Sequence, residues 1–233
     1  MLRPGLVSIT FRQLDARSIV TISRKAGLQG IEWGGDVHVP PGNVAVAREV
    51  AKLTRDEGLN VAAYGSYYRL GEETSDFSRV LESAAVLGAP LIRVWAGRIA
   101  SREASPEQRR LISADGRRVA QLAAEAGVGI VCEWHGNTLT DTAQSARALF
   151  ATVDHANFRT YWQPRRNATV TESLSELNSA LPLLSGVHVF HWHAQTAERL
   201  PLNEGAADWA RYINAAKGTG VMYALLEFVR NDD

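Results

Sequence analysis

The chain has 233 residues, 45% hydrophobic and 21% charged, the proportions of a folded globular protein rather than a disordered or fibrous one. Its 25 basic and 25 acidic side chains cancel, so the basic excess that binding to a phosphate backbone draws on is missing and no nucleic-acid partner is expected. No apolar run is long enough for a bilayer, the N-terminus has no apolar signal core, and the lone Cys132 cannot form an internal disulfide; no membrane partner and a cytoplasmic location are expected.

Along the chain one pattern recurs: an amphipathic segment, a glycine, then a short apolar run. Residues 6–9 form a first strand, and Asp15 caps a helix over 16–26. Gly27 then precedes Gly30-Ile31-Glu32-Trp33, Gly58 precedes the run 59–64, and Gly88 precedes Leu91-Ile92-Arg93-Val94-Trp95. Ser105-Pro106-Glu107 reads as cap, first-turn proline and acid at the positive end of a helix. Gly127 precedes 128–134, Thr140-Asp141 and Thr171-Glu172 open two further helices, and strands follow at 160–163 and 187–191. Gly220 precedes the last run, 221–228. A glycine just past a helix supplies its left-handed cap, and a continuous apolar run directly after it suits a strand buried on both faces. Eight strands and seven helices, at roughly 30 residues per unit, predict one (β/α)8 TIM-barrel domain over 1–233. An open doubly wound sheet is the rival, but its glycine fingerprint is missing, because Gly27-Leu28-Gln29-Gly30 precedes a strand instead of following one. No residues follow Asp233 to make an eighth helix, so further residues or a second protomer are expected to cover the groove beside strand eight, and a homo-oligomer is considered.

In such a barrel the chemistry sits where strands end at the C-terminal mouth. Strand two ends in Glu32, strand five in Glu133, strand six in Gln163 and strand eight in Glu227, while strand seven carries His188 and His191. Buried carboxylates need a partner. Carboxylate, amide oxygen and imidazole together suit one divalent cation such as Mn, Mg, Co or Zn, which would polarise a carbonyl or a hydroxyl pair. Glutamates on either side of a substrate could then remove and return a proton on carbon. Glu32 reads equally as a structural ion pair. His191 is out of phase with His188 in a regular strand, so both cannot be ligands unless the strand has ended or bulged between them. His38 and His135, just beyond strands two and five, are candidate substrate contacts, as are Glu32, His191 and Trp95. Trp33, Trp95, Trp134, Trp162 and Trp192 all lie near strand ends and suggest an aromatic floor under a sugar ring.

Other chemistries fall away. Lys25, Lys52 and Lys217 lie in predicted helices, which excludes a strand-end Schiff base. Cys132 points away from Glu133 and reads as core.

The stretches Gly30-Ile31-Glu32-Trp33-Gly34-Gly35-Asp36-Val37-His38-Val39, Cys132-Glu133-Trp134-His135-Gly136-Asn137-Thr138, Val187-His188-Val189-Phe190-His191-Trp192 and Leu226-Glu227-Phe228 make the chain resemble the sugar phosphate isomerase/epimerase family, with its xylose isomerase-like TIM barrel. The resemblance implies a single divalent metal on Glu133, His188 and Glu227, with the two glutamates as acid and base. Where that family has a strand-six aspartate, this chain has Gln163, an uncharged ligand that implies weaker binding of the metal or its loss. The expected activity is isomerisation or epimerisation of a small sugar or polyol. An inosose-type dehydratase and a sugar-binding barrel with a weakened or lost metal site are the alternatives.

Overall fold

The structure is a computed structural model that describes residues 2–72, 76–196, 198–220 and 223–232. Eight parallel strands close into a barrel in chain order: β1 (Arg3–Val7), β2 (Gly30–Gly34), β3 (Asn60–Arg69), β4 (Leu91–Trp95), β5 (Gly129–Glu133), β6 (Phe158–Trp162), β7 (Leu184–Val189) and β8 (Tyr223–Leu226). Closure is made by β1 and β8, with Arg3 opposite Tyr223 and Leu6 opposite Leu226. Among the described residues seven helices cover the barrel: α1 (Ala16–Lys25), α2 (Val44–Asp56), α3 (Phe77–Leu87), α4 (Pro106–Glu125), α5 (Ala143–Val153), α6 (Val170–Ala180) and α7 (Ala206–Ala216). No α-helix follows β8 among the described residues; only a short 3-10 turn, Arg230–Asp232, does. No helix is long and apolar enough to cross a membrane among those residues.

The helix starts follow the capping chemistry. The Asp15 side chain accepts from the Ser18 amide, and Ser105 and Gln108 form a reciprocal capping box with Pro106 at the first helical position. Two expected starts move. Helix α5 is capped by Thr142, not at Thr140-Asp141, because the Thr140 hydroxyl is committed to the Glu133 carbonyl, 2.6 Å away. Helix α6 is capped by Thr169 in a box with Glu172, which leaves Thr171 inside the helix.

Strand bounds also differ from the apolar runs, since a parallel ladder pairs backbone irrespective of side chain. β1 begins among polar residues at Arg3 and turns into a 3-10 segment, Ser8–Phe11. Glu32 stands in the middle of β2, not at its end. β7 starts earlier than expected and stops at Val189, so His191 lies beyond it. Val221 and Met222, expected in the last strand, fall outside the described residues, and Glu227 comes one residue after β8.

Alternation along each strand decides what fills the barrel. Ile31, Trp33, Ile92, Val94, Ile130 and Cys132 belong to the layer between sheet and helices, whereas Val7, Val131, Tyr161, Tyr223 and Leu225 pack together as the barrel's own core. A methyl built at Gly186 would lie 2.6 Å from the Tyr161 ring, so glycine there lets tyrosine plug the interior. Glu32, Arg93, Glu133 and His188 share the inward parity and sit above that plug.

Candidate active site

The polar centre is built from one inward residue on each of several neighbouring strands. Arg93 on β4 bridges two carboxylates: its Nε donates to Glu32 Oε1 at 2.7 Å and its Nη1 to Glu133 Oε2 at 2.5 Å. All three side chains are almost fully buried, with Arg93 2% and Glu32 0% exposed. Burial opposes charge on both acids, yet the Arg93 guanidinium outweighs it and holds Glu32 and Glu133 below the usual carboxylate range. Gly65 on β3 makes the pair possible, since a methyl there would lie 2.6 Å from Glu32 Oε1 and 2.9 Å from Arg93 Nη2.

His188 stands against the Tyr161 ring, edge to face with centroids 5.4 Å apart. Its Nε2 faces Glu32 Oε2 at 3.3 Å, while Nδ1 lies 3.5 Å from Glu227 Oε2 and 3.7 Å from Glu133 Oε1. Burial disfavours an imidazolium here, but Glu227 and Glu32 override it and push His188 up to about 10. Glu227 is pushed up to about 7, because burial and the neighbouring Glu133 charge outweigh the help of His188.

The two glutamates at this point differ sharply. Glu133 is saturated with donors: Arg93 and the Trp95 indole N–H on Oε2, and the Gln163 amide on Oε1 at 3.1 Å. The Glu227 carboxylate accepts no hydrogen bond from a described residue, and it borders the mouth cavity. Gln163 also donates to the Trp134 carbonyl at 2.9 Å, which fixes its orientation and leaves its Oε1 buried without a partner.

One atom each from Glu133, His188 and Glu227 lie within 4.8 Å of one another, all buried. The group fits a divalent cation on three counts. Three carboxylates against one guanidinium leave two negative charges in a dry interior once His188 is neutral. His188 Nδ1 and Gln163 Oε1 are buried atoms without hydrogen-bond partners among the described residues. Glu32 opposite Nε2 fixes the tautomer that frees Nδ1 as a ligand, the usual support for a metal-bound imidazole. The oxygen-rich set suits Mg or Mn.

Above this floor opens a cavity of about 580 Å³. Tyr67, Trp95 and His135 form one wall, with the Trp95 and His135 rings stacked 5.1 Å apart; Phe190, Trp192 and Phe228 form another. Of the five tryptophans expected as a floor, Trp95, Trp134 and Trp192 border the cavity; Trp33 and Trp162 are fully buried in the sheet–helix layer. Glu32 lies beneath the cavity as the partner of Arg93 and His188. His38 is buried away from it, with Nδ1 2.9 Å from the Ser8 hydroxyl and Nε2 3.0 Å from the Leu14 carbonyl, joining the first two mouth loops. His191 faces a separate crevice with Leu200, Pro201 and Leu226. Cys132 is wholly buried. The sequence assigns Arg93 no role beyond its place in the run 91–95 and does not mark Tyr67 or Gly65; a charged residue at inward parity on β4 is the available signal for Arg93.

A family model described as xylose isomerase-like TIM barrel matches residues 20–231. The chain belongs to that family. It is 26% identical over 166 residues to a 3-dehydroshikimate dehydratase of Bacillus anthracis, a match spanning 66% of this chain and 59% of that protein. The E. coli 3-keto-D-glucoside 4-epimerase superposes with a TM-score of 0.76 at 18% identity, covering 100% of this chain and 94% of the other. A xylose isomerase-like protein of Mycobacterium smegmatis, solved in complex with magnesium, superposes at 0.69 with 15% identity, covering 97% and 88%. These superpositions show shared fold; the buried Glu133, His188 and Glu227 show where a metal fits.

Proposed function

We propose that this chain is a divalent-metal-dependent enzyme that takes a proton from the carbon beside a carbonyl in a small polyhydroxylated substrate, with Glu227 as the base. The observation that carries the reading is the contrast between two glutamates at one point: Glu133 immobilised by three donors, Glu227 without a hydrogen-bond donor and facing the cavity. A cation held by Glu133, His188 and Glu227 would polarise the carbonyl and acidify the adjacent C–H. Gln163 is the neutral fourth ligand or holds Glu133 in place through its amide. The carboxylate of Glu227 offers one oxygen to the ligand cluster and keeps the other for the proton. Glu227 would take that proton as the carboxylate and return it as the carboxylic acid. The walls of Trp95, His135 and Trp192 orient the apolar face of the ring or chain and exclude water. Return of the proton by Glu227 to the neighbouring carbon would make the enzyme an isomerase, and delivery of a proton by Glu133 to the opposite face of the same carbon would make it an epimerase; this pair is the reading we adopt. Delivery to a departing hydroxyl would make it a dehydratase; the similarity to the 3-dehydroshikimate dehydratase favours this second reading.

Incubation with Mg or Mn in D2O, with D-fructose, D-psicose and 3-dehydroshikimate in turn, tests both. Deuterium at a carbon beside the carbonyl supports the reading, interconverted sugar assigns an isomerase or epimerase, and a dehydrated aromatic product assigns a dehydratase. Exchange that survives in Glu227→Gln would overturn the assignment of the base.

A further inference from the structure

Four arginines border the mouth cavity: Arg12, Arg93, Arg165 and Arg166. Three are matched by the protein's own acids, Arg12 by Asp36, Arg93 by Glu32 and Glu133, and Arg165 by Glu176. Arg166 makes no ion pair with any described residue. Its guanidinium lies 5.3 Å from the centre of the Trp192 ring, the aromatic wall opposite Trp95. Stacking on an aromatic face restrains an arginine while leaving its N–H fork free to donate in plane. The residue follows Gln163 by three positions, on the loop between β6 and α6, so it stands on the rim above the ligand cluster. A divalent cation would neutralise the floor, and of the four arginines that border the cavity Arg166 alone would then have no acidic partner among the described residues.

We propose that the substrate carries an acidic group, carboxylate or phosphate, away from its reacting carbons, and that Arg166 receives it. The inference rests on the mouth being the substrate site, as in the function proposed above. Guanidinium matches either anion with paired hydrogen bonds, so both sources share one chemistry. Trp192 and Asn167, which also border the cavity, flank the position.

The test uses polyols without a ketone or aldehyde, which have no exchangeable C–H beside a carbonyl and cannot undergo the proposed reaction. Calorimetry on Mg-loaded protein compares D-sorbitol with D-sorbitol 6-phosphate, and methyl shikimate with shikimate. At least one acid should bind about tenfold or more tightly than its uncharged counterpart. Arg166→Gln should remove that advantage with an unchanged melting temperature, and Arg166→Lys should keep part of it. The pair that shows the advantage identifies phosphate or carboxylate. Equal binding of both members in both pairs, failure of both acids to bind, or an advantage that persists in Arg166→Gln would overturn the proposal, the last by placing the anion on the floor cation. Acid binding through Arg166 without any proton exchange would retain this site and reject the proposed reaction. Exchange of a neutral ketose without an acid advantage would do the reverse.

Discussion

Gln163 and His38 both illustrate how a polar side chain is fixed by what its neighbours can accept. The Gln163 amide faces two acceptors, Glu133 Oε1 and the Trp134 carbonyl. Gln163→Asp replaces a donor with an anion against both, so the metal-free variant should lose about 1–3 kcal/mol of unfolding free energy. The same added charge should tighten Mn binding roughly ten- to hundredfold. Urea unfolding without metal and calorimetry with Mn read the opposite signs; unchanged Mn affinity would place Gln163 outside the ligand set. At His38, neutral imidazole satisfies both ring nitrogens, donating to Leu14 and accepting from Ser8. Burial therefore holds it below its ordinary 6.5. The unfolded chain takes up a proton as pH falls through 6.5 and the folded chain does not, so this contribution to stability is intact above 6.5 and is lost as pH falls below it. Between pH 7.5 and 5.5 the urea midpoint of the wild type should shift downward relative to that of His38→Gln; the comparison cancels Glu227 and His188, whose raised proton affinities act with the opposite sign.

The strands are the scale at which the site becomes a single object. β3 contributes Gly65, whose missing side chain is occupied by the Glu32–Arg93 pair. Gly65→Ala forces the pair apart in a dry interior, where an uncompensated charge costs about 3–5 kcal/mol. Guanidinium chloride unfolding should register a loss of that order, and Mn affinity should fall as Glu133 and His188 lose their supports; a variant of wild-type stability would mean that the pair is not rigid. Much of this was legible beforehand, because inward parity and apolar continuity both mark Glu133 and His188, and a glycine ahead of each run marks the barrel. Three things were not. Glu32 reads as a strand end because its run is short, whereas pairing with β3 extends the strand past it to Gly34. The phase conflict of His191 resolved through the end of β7 at Val189, which backbone pairing sets and hydrophobicity does not. The clamp on Glu133 needs Arg93 and Trp95 from β4 and Gln163 from just beyond β6 to meet at the end of β5, and no local spacing encodes that meeting.

For the molecule as a whole, the ligand cluster is a concentration of like charge that folding must tolerate. Glu32, Glu133 and Glu227 come from β2 and from the ends of β5 and β8, and in the unfolded chain they are solvated and far apart. Closing the barrel brings them together around one guanidinium, and His188 holding a proton softens the repulsion in the metal-free protein. A divalent cation replaces that proton with two charges and binds the closed barrel alone, so it should act as a staple between strands distant in sequence. Linkage makes this quantitative: cation at a hundred times its dissociation constant adds about 2.7 kcal/mol. For a domain of this size that raises the melting temperature by about 5–10 °C. The wild type should therefore melt higher in millimolar Mg or Mn and return to its starting value with chelator. Glu227→Gln should melt without metal at or above the wild-type temperature, since it removes a buried charge that no donor stabilises, but should gain little from the cation. A melting temperature unmoved by either metal would remove the cation from the floor of the barrel, and the charge of the cluster would then have to be balanced by the proton on His188 alone.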